Sequence, residues 1–252
     1  MRSLGTGGAA VVVGASGGIG GALVAALLAD PGIARVVALS RSGDPPAGAA
    51  ESGARLTCGT IDVTDPESIA LAADRLARDL GGVPLRLAIV ATGALHGDGM
   101  SPEKSYRALD ADALMQSYRI NAVGPALVAR AMLPLLASPG RSVFAALSAR
   151  VGSIGDNRAG GWHAYRASKA ALNMILRNLA IEVARRTPET LCVGLHPGTV
   201  DTGLSRPFQR GVAPGHLFTA AESAGKLLAV LDGLEASDSG SVLDWDGKTV
   251  PP

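Results

Sequence analysis

Short apolar runs alternate along this chain with longer stretches in which apolar residues recur every three or four positions. The first run, Ala9 to Gly14 (AAVVVG), is rich in valine and ends in a cluster of glycines, after which Ile19 to Ala29 carries apolar residues at helical spacing. That pair reads as a strand turning into a helix. Further buried strands are expected at Arg35 to Ser40, Arg55 to Asp62, Leu85 to Ala91, Ser142 to Ser148, Leu191 to His196 and Ser241 to Leu243, with helices at 66–80, 110–137, 163–186 and 220–233. Strands that alternate with helices predict an α/β fold: a doubly wound parallel sheet with helices on both faces and right-handed crossovers. No linker or internal repeat divides the pattern, so residues 1–252 read as a single domain.

Two connections are too long for simple turns. Thr92 to Leu109 and Val200 to Thr219, the latter carrying Pro207, Gly211, Pro214 and Gly215, follow predicted strands. Ligands of such sheets sit beyond the carboxyl ends of the strands, so both loops are expected to touch substrate. Composition agrees with a buried sheet: 47% of residues are hydrophobic, 18% charged and only 3% aromatic, so Ala, Val, Leu and Ile must build the core. The formal net charge of +1, with acids and bases interspersed, excludes the basic stripe that nucleic acid or an anionic membrane requires. No apolar run reaches the length of a membrane span. Cys58 and Cys192 have neither disulfide nor metal-ligand spacing; they read as buried thiols in a reducing compartment, and the expected location is the cytoplasm, with no metal bound.

The first strand runs into Gly14-Ala15-Ser16-Gly17-Gly18-Ile19-Gly20, a glycine-rich turn that opens a helix. Such a turn lets a pyrophosphate approach the main chain at the helix N-terminus, which makes Gly14, Ser16, Gly18, Ile19 and Gly20 candidate cofactor contacts. A tight strand-to-helix turn with no ligand is the plainer alternative. The second strand ends Ser40-Arg41, where a dinucleotide fold that prefers NAD usually places a carboxylate; a cation there suits a 2′-phosphate, so NADP(H) is favoured over NAD(H). Arg41 as an ordinary surface arginine is the competing reading. Asp62 and Val63 close the third strand, where Asp62 is placed to accept from an adenine amino group; Thr64-Asp65-Pro66-Glu67 reads equally as a helix start.

The most informative stretch is Tyr165-Arg166-Ala167-Ser168-Lys169, because Tyr165 and Lys169, four apart on a helix, share one face. An ammonium beside a phenol is expected to lower the phenol's pKa from about 10 and make it an acid-base group. Alone, the pair is no more than a helix face. With the GASGGIG turn, Asn121 in INAVG, Ser148 at the end of a strand and the segment Pro197-Gly198-Thr199-Val200-Asp201-Thr202, the chain resembles the short-chain dehydrogenase/reductase family over nearly its whole length. The segment LSARVGSIGDNRAGGWHAYRASKAALN is similar to the C-factor and sniffer-type carbonyl reductase branch.

The resemblance implies a Rossmann-fold oxidoreductase that interconverts a carbonyl and an alcohol. It implies Tyr165 as acid-base residue, Lys169 holding the nicotinamide ribose and lowering the tyrosine pKa, Ser148 orienting the substrate oxygen and Asn121 supporting a water in the proton relay. It further implies cofactor contacts at Ala91, Thr92 and Gly93, and at Pro197, Gly198, Val200 and Thr202. The family often has two serines before a glycine, the second catalytic; here the pair is Ser148-Ala149, which leaves Ser153 as an alternative and a plain strand-end Ser148 as another. The family's Asn-Asn-Ala-Gly after the fourth strand is Val90-Ala91-Thr92-Gly93. His96, Ile154, Trp162, Leu204 and Phe208 are candidate substrate contacts, with Leu95, Met100 and Phe218 as further apolar walls. The expected partners are a small carbonyl or alcohol and further copies of the chain, as a homodimer or homotetramer through the helices near 110–137 and 163–186. A catalytically silent NADP(H)-binding sensor on the same fold is the competing function.

Overall fold

A strand buried on both faces needs apolar side chains on both sides, and β1 (Gly8–Val13) has every residue buried in the computed structural model, which describes residues 1–49, 53–97, 99–213 and 215–252. Pro214 lies outside the described residues. β1 pairs in parallel with β2 (Ile33–Ser40) on one side and β4 (Leu85–Val90) on the other. β3 (Leu56–Thr60), β5 (Ser142–Leu147), β6 (Thr190–His196) and β9 (Val242–Asp244) complete a seven-stranded parallel sheet ordered β3-β2-β1-β4-β5-β6-β9. The strand order reverses between β1 and β4, the switch point at which such sheets bind ligands. The α/β expectation is met, and so is the placement of each expected strand.

Alternate residues feed two layers. Ala10, Val12, Val36, Ile89 and Val193 pack on Leu23, Leu27, Leu227 and Leu231 of α1 (Gly18–Ala29) and α6 (Ala220–Gly233). Val11, Val13, Val37, Phe144 and Cys192 pack on Ile69, Leu76, Val128, Met132, Leu172 and Leu176 of α2 (Pro66–Leu80), α4 (Gly124–Met132) and α5 (His163–Ala184). The helix ends follow local chemistry: the Asp65 side chain accepts from the Glu67 amide with Pro66 in the first turn of α2, and Thr219 and Glu222 form a reciprocal capping box on α6. Cys192 is buried and Cys58 only half-buried, and both are free. Among the described residues, no helix is long and apolar enough to cross a membrane.

The helix expected over 110–137 is divided. α3 (Ala111–Tyr118) passes through one π-helical turn, Arg119–Val123, into α4, and a short 3-10 turn, Leu133–Leu135, ends the element. Pro125 has no N–H to give the Asn121 carbonyl four residues back, so the ladder widens where Asn121 sits. The loop after β6 also holds an unexpected pair of two-residue strands, β7 (Thr199–Val200) beside β8 (Leu217–Phe218), which brings the far end of that loop back to its start.

Candidate active site

The carboxyl ends of β1 to β4 open into a cavity of about 470 Å³, lined by Gly14, Ser16, Gly17, Ser40, Arg41, Ile61, Asp62, Val63, Thr64, Ala91, Thr92, Gly93, Ala94, His96, Met100, Gln116, Arg119 and Ile120. Nine of the cofactor candidates lie on this wall: Gly14, Ser16, Ser40, Arg41, Asp62, Val63, Ala91, Thr92 and Gly93. Gly18, Ile19 and Gly20 form the first turn of α1 behind it. Here glycine is a steric requirement. Gly14 has a φ of +90°, and a Cβ on Gly20 would stand 2.1 Å from the Gly14 carbonyl oxygen. A Cβ on Gly18 would meet Thr202 Cγ2 at 2.7 Å, so Thr202 lies over the start of α1. Pro197, Gly198 and Val200 are not on the cavity wall: the Pro197 carbonyl accepts from Ser223, Gly198 packs under Phe218, and Val200 is buried.

One wall group asks for a ligand. Thr92 Oγ1 is buried with no hydrogen-bond partner among the described residues. At the β3 end, Thr64 donates to Asp62 Oδ1 from its amide at 2.8 Å and its hydroxyl at 2.7 Å, and these bonds, with the charges of Arg41 and Arg119, hold the carboxyl below its ordinary range. Arg119 donates to the Thr64 carbonyl from Nη2 at 2.8 Å, which anchors a second cation on the same wall. The turn, the open threonine hydroxyl and the paired arginines fit a dinucleotide with a phosphate at its ribose.

Lys169 and Asn121 meet at Gly93, and the Tyr165 ring stands beside Lys169. A Cβ on Gly93 would lie 3.4 Å from Asn121 Oδ1 and 3.6 Å from Lys169 Nζ, and that Nζ is 5.7 Å from the centre of the Tyr165 ring. Lys169 Nζ donates to the Leu147 carbonyl at 2.7 Å. Asn121 is fully buried: its Oδ1 accepts from the Ala94 amide, and its Nδ2 donates to the Ala94 carbonyl, Ser117 Oγ and Ser168 Oγ. Ser168 Oγ in turn donates to the Tyr165 carbonyl. The side chain of Asn121 thus ties the loop after β4 to α5.

Burial reverses the expected electrostatics of the tyrosine. In the protein alone, Tyr165 is pushed up to about 12 and Lys169 down to about 8, each by burial. The helix spacing shows the ammonium but not the apolar surroundings, and those favour the neutral form of both groups. At neutral pH Tyr165 is therefore a protonated phenol.

Ser148 does not join this group. Its Oγ donates to Asn173 Oδ1 at 2.5 Å, and Asn173 lies eight residues, about 12 Å, along α5 from Tyr165. Ser148 Cβ is 3.5 Å from where a Cβ on Gly194 would be, under α5 and away from the tyrosine end. Ser153 is drawn off as well: its hydroxyl donates to the Pro252 carbonyl and accepts from the Asp156 amide. We expect Ser148→Ala to retain turnover within about threefold while losing about 1 kcal/mol of stability, because the half-buried Asn173 side chain loses its hydrogen-bond donor. Steady-state kinetics with a urea melt checks both, and a loss of turnover by a hundredfold would return Ser148 to the site.

Three aromatic rings lead in a row to the tyrosine: His96 is 5.8 Å from Phe208, Phe208 4.9 Å from Trp162, and Trp162 6.4 Å from Tyr165, between ring centres. His96 Nε2 faces the carbonyls of Gly203 and Leu204 at 3.2 and 3.1 Å, joining the two long loops. Of the expected substrate walls, His96, Trp162, Leu204 and Phe208 are thus gathered here. Ile154 is not; its side chain is 79% exposed on a turn tied to Pro252. Phe218 also leaves the group, packing on Trp245 at 4.9 Å with Lys226 over both rings. His196 is held neutral, pushed down to about 4 by burial first and by the charge of Arg150 second.

Residues 8–212 match the sequence model of the family described as short chain dehydrogenase. The chain belongs to the short-chain dehydrogenase family. It is 38% identical to the C-signal protein of Myxococcus xanthus over 138 residues, which is 55% of this chain and 78% of that protein. It is 34% identical over 189 residues to 1-hydroxy-2-glutathionyl-2-methyl-3-butene dehydrogenase of Rhodococcus sp. (strain AD45), covering 74% of this chain and 76% of the relative. Among solved structures, NADPH-bound carbonyl reductase from chicken fatty liver superposes with a TM-score of 0.80 at 29% identity, over 98% of this chain and all of the other. This short-chain dehydrogenase is therefore an oxidoreductase by family, and the sheet and the glycine turn are those its sequence implied.

Proposed function

We propose that the chain, as one dinucleotide-binding unit over residues 1–252, reduces a small carbonyl to an alcohol with NADPH, Tyr165 giving the proton. The observation that carries this reading is that Lys169 and Asn121 meet at Gly93, on the wall of the cavity that the glycine turn and Arg41 line, with the Tyr165 ring beside Lys169. Bound NADPH supplies the hydride. Protonated Tyr165 donates to the carbonyl oxygen as that oxygen gains negative charge, which is general acid catalysis. Lys169, half ionised near pH 8, stands close enough to stabilise the phenolate left behind. Asn121 holds the main chain at Ala94 and, through Ser168, the first turns of α5. The aromatic row excludes water and favours an apolar substrate, a ketone, aldehyde or quinone.

Free Cys58 and Cys192 support a cytoplasmic setting. Exposed Met115 and Val123, and Met174 and Ile181 seven apart on α5, support assembly of copies through these helices as a dimer or tetramer. The bond that draws Ser148 to Asn173 favours a second reading, a cofactor-binding sensor without turnover.

The cofactor assignment is tested by following nicotinamide fluorescence as NADPH and NADH are added to the wild type and to Arg41→Ala. The variant is expected to lose about 1 to 3 kcal/mol for NADPH and little for NADH, since only the former carries the 2′-phosphate. Equal losses for the two cofactors would remove Arg41 from phosphate recognition.

A further inference from the structure

The catalytic helix begins without a cap of its own. The residue at the N-cap of α5 is Trp162, whose side chain makes no capping hydrogen bond, and its backbone is left-handed at φ 50° and ψ 42°. It is the only non-glycine residue with positive φ among the described residues, and it follows Gly160 and Gly161 at φ 62° and 65°. A bulky side chain in that region is disfavoured and persists only where the surroundings hold it.

Glu103, 61 residues away on the long loop after β4, supplies the missing cap. Its carboxylate accepts from the Ala164 amide, at 3.2 Å to Oε1 and 3.3 Å to Oε2, the bond an N-cap side chain ordinarily makes to the second helical residue. Its main-chain carbonyl accepts from the Trp162 amide at 2.6 Å, and Gly161 packs so close that a Cβ there would lie 3.2 Å from the same oxygen. The side chain is 5% exposed and shares a small cavity with Tyr165, so the contact is internal to the site. A buried carboxylate needs hydrogen bonds, and the positive end of a helix provides them.

We infer that Glu103 is the positioning residue of the site: by capping α5 from the opposite loop it fixes Trp162 over Tyr165 and sets where the phenol stands. The geometry accounts for a tryptophan at a position that ordinarily calls for Ser, Thr, Asp or Asn. Trp162 is placed for its ring, which reaches both Tyr165 and Phe208, and Glu103 does the capping in its stead. The inference rests on Tyr165 as the proton donor, so its test carries a readout that does not depend on turnover.

In a Trp245→Phe background, Trp162 is the one remaining tryptophan of the two in the chain. Glu103→Leu keeps the volume and removes the acceptor, and Glu103→Gln keeps an acceptor oxygen without the charge; Glu103→Ala replaces the leucine variant if that does not fold. Steady-state reduction of a carbonyl with NADPH and acrylamide quenching of Trp162 are measured on each. With the acceptor removed, kcat is expected to fall about tenfold to a hundredfold with KM for NADPH unchanged, and Trp162 to become more open to acrylamide. Glu103→Gln is expected to restore wild-type quenching and most of kcat. Wild-type kcat and quenching in the variant without the acceptor would overturn the inference, as would equal losses in both variants. Were no carbonyl turned over by the parent chain, the reading of Tyr165 would fail by itself. The quenching comparison would still decide the role of Glu103.

Discussion

Tyr165→Phe is expected to lower kcat for carbonyl reduction by about 100- to 10,000-fold while NADPH affinity stays near that of the wild type. The substitution removes one oxygen from a half-buried ring and leaves the Trp162 contact and the helix in place. Because burial pushes the phenol up to about 12 in the protein alone, Tyr165 holds the donor form throughout the neutral range. The loss in the variant should accordingly be large at both pH 6 and pH 8, and somewhat smaller at pH 8, where Lys169 has given up part of its charge. Turnover at the wild-type rate in Tyr165→Phe would take the phenol out of the mechanism. A loss confined to one end of that pH range would mean that the neighbouring lysine, which titrates near 8, sets the rate instead.

Gly20→Ala should be the most damaging single methyl in the molecule. Its Cβ would fall 2.1 Å from the Gly14 carbonyl oxygen and 3.2 Å from Ala15 Cα, so α1 must move away from the turn that carries Gly14, Ser16 and Gly17. Overpacking of this kind costs about 1 to 3 kcal/mol and occasionally more, and here it displaces Gly14, which lies on the cavity wall. NADPH affinity is expected to drop about a hundredfold, with a lower Tm. Gly225→Ala is the control, because nothing lies within 4 Å of a Cβ there and an alanine within α6 favours the helix. Equal cofactor affinity in both variants would show that the turn does not hold the cofactor.

Much of the fold is legible in the chain because its strands are buried on both faces. A run such as Ala9 to Val13 has few other uses, and the glycines after it point to the turn at Gly14. The division of 110–137 was also written there, in Pro125 four residues after Asn121, but an apolar period carries across a π-turn and conceals it. At the site, Tyr165, Lys169 and Asn121 are found because helix spacing and motif order bring them together. Arg119 and Glu103 escape notice for a different reason: each works through a partner 55 or 61 residues away, and neither sits in a local pattern that marks it. Ser148 and Ile154 stand apart from the tyrosine group because side-chain direction at a strand end, and exposure on a turn, are settled by packing against α5 and Pro252. The pKa of Tyr165 depends on burial in the same way, which is why a neighbouring ammonium alone gives the wrong sign.

A reductase of this kind passes a hydride from NADPH to a carbonyl. The most direct measurement forms the NADPH complex of the purified chain and follows loss of the reduced nicotinamide absorbance as ketones, aldehydes and quinones are added in turn. Oxidation of NADPH on at least one apolar carbonyl, abolished in Tyr165→Phe, is the predicted result. Tight NADPH binding with no oxidation across the panel would contradict it and leave a cofactor-binding sensor in its place.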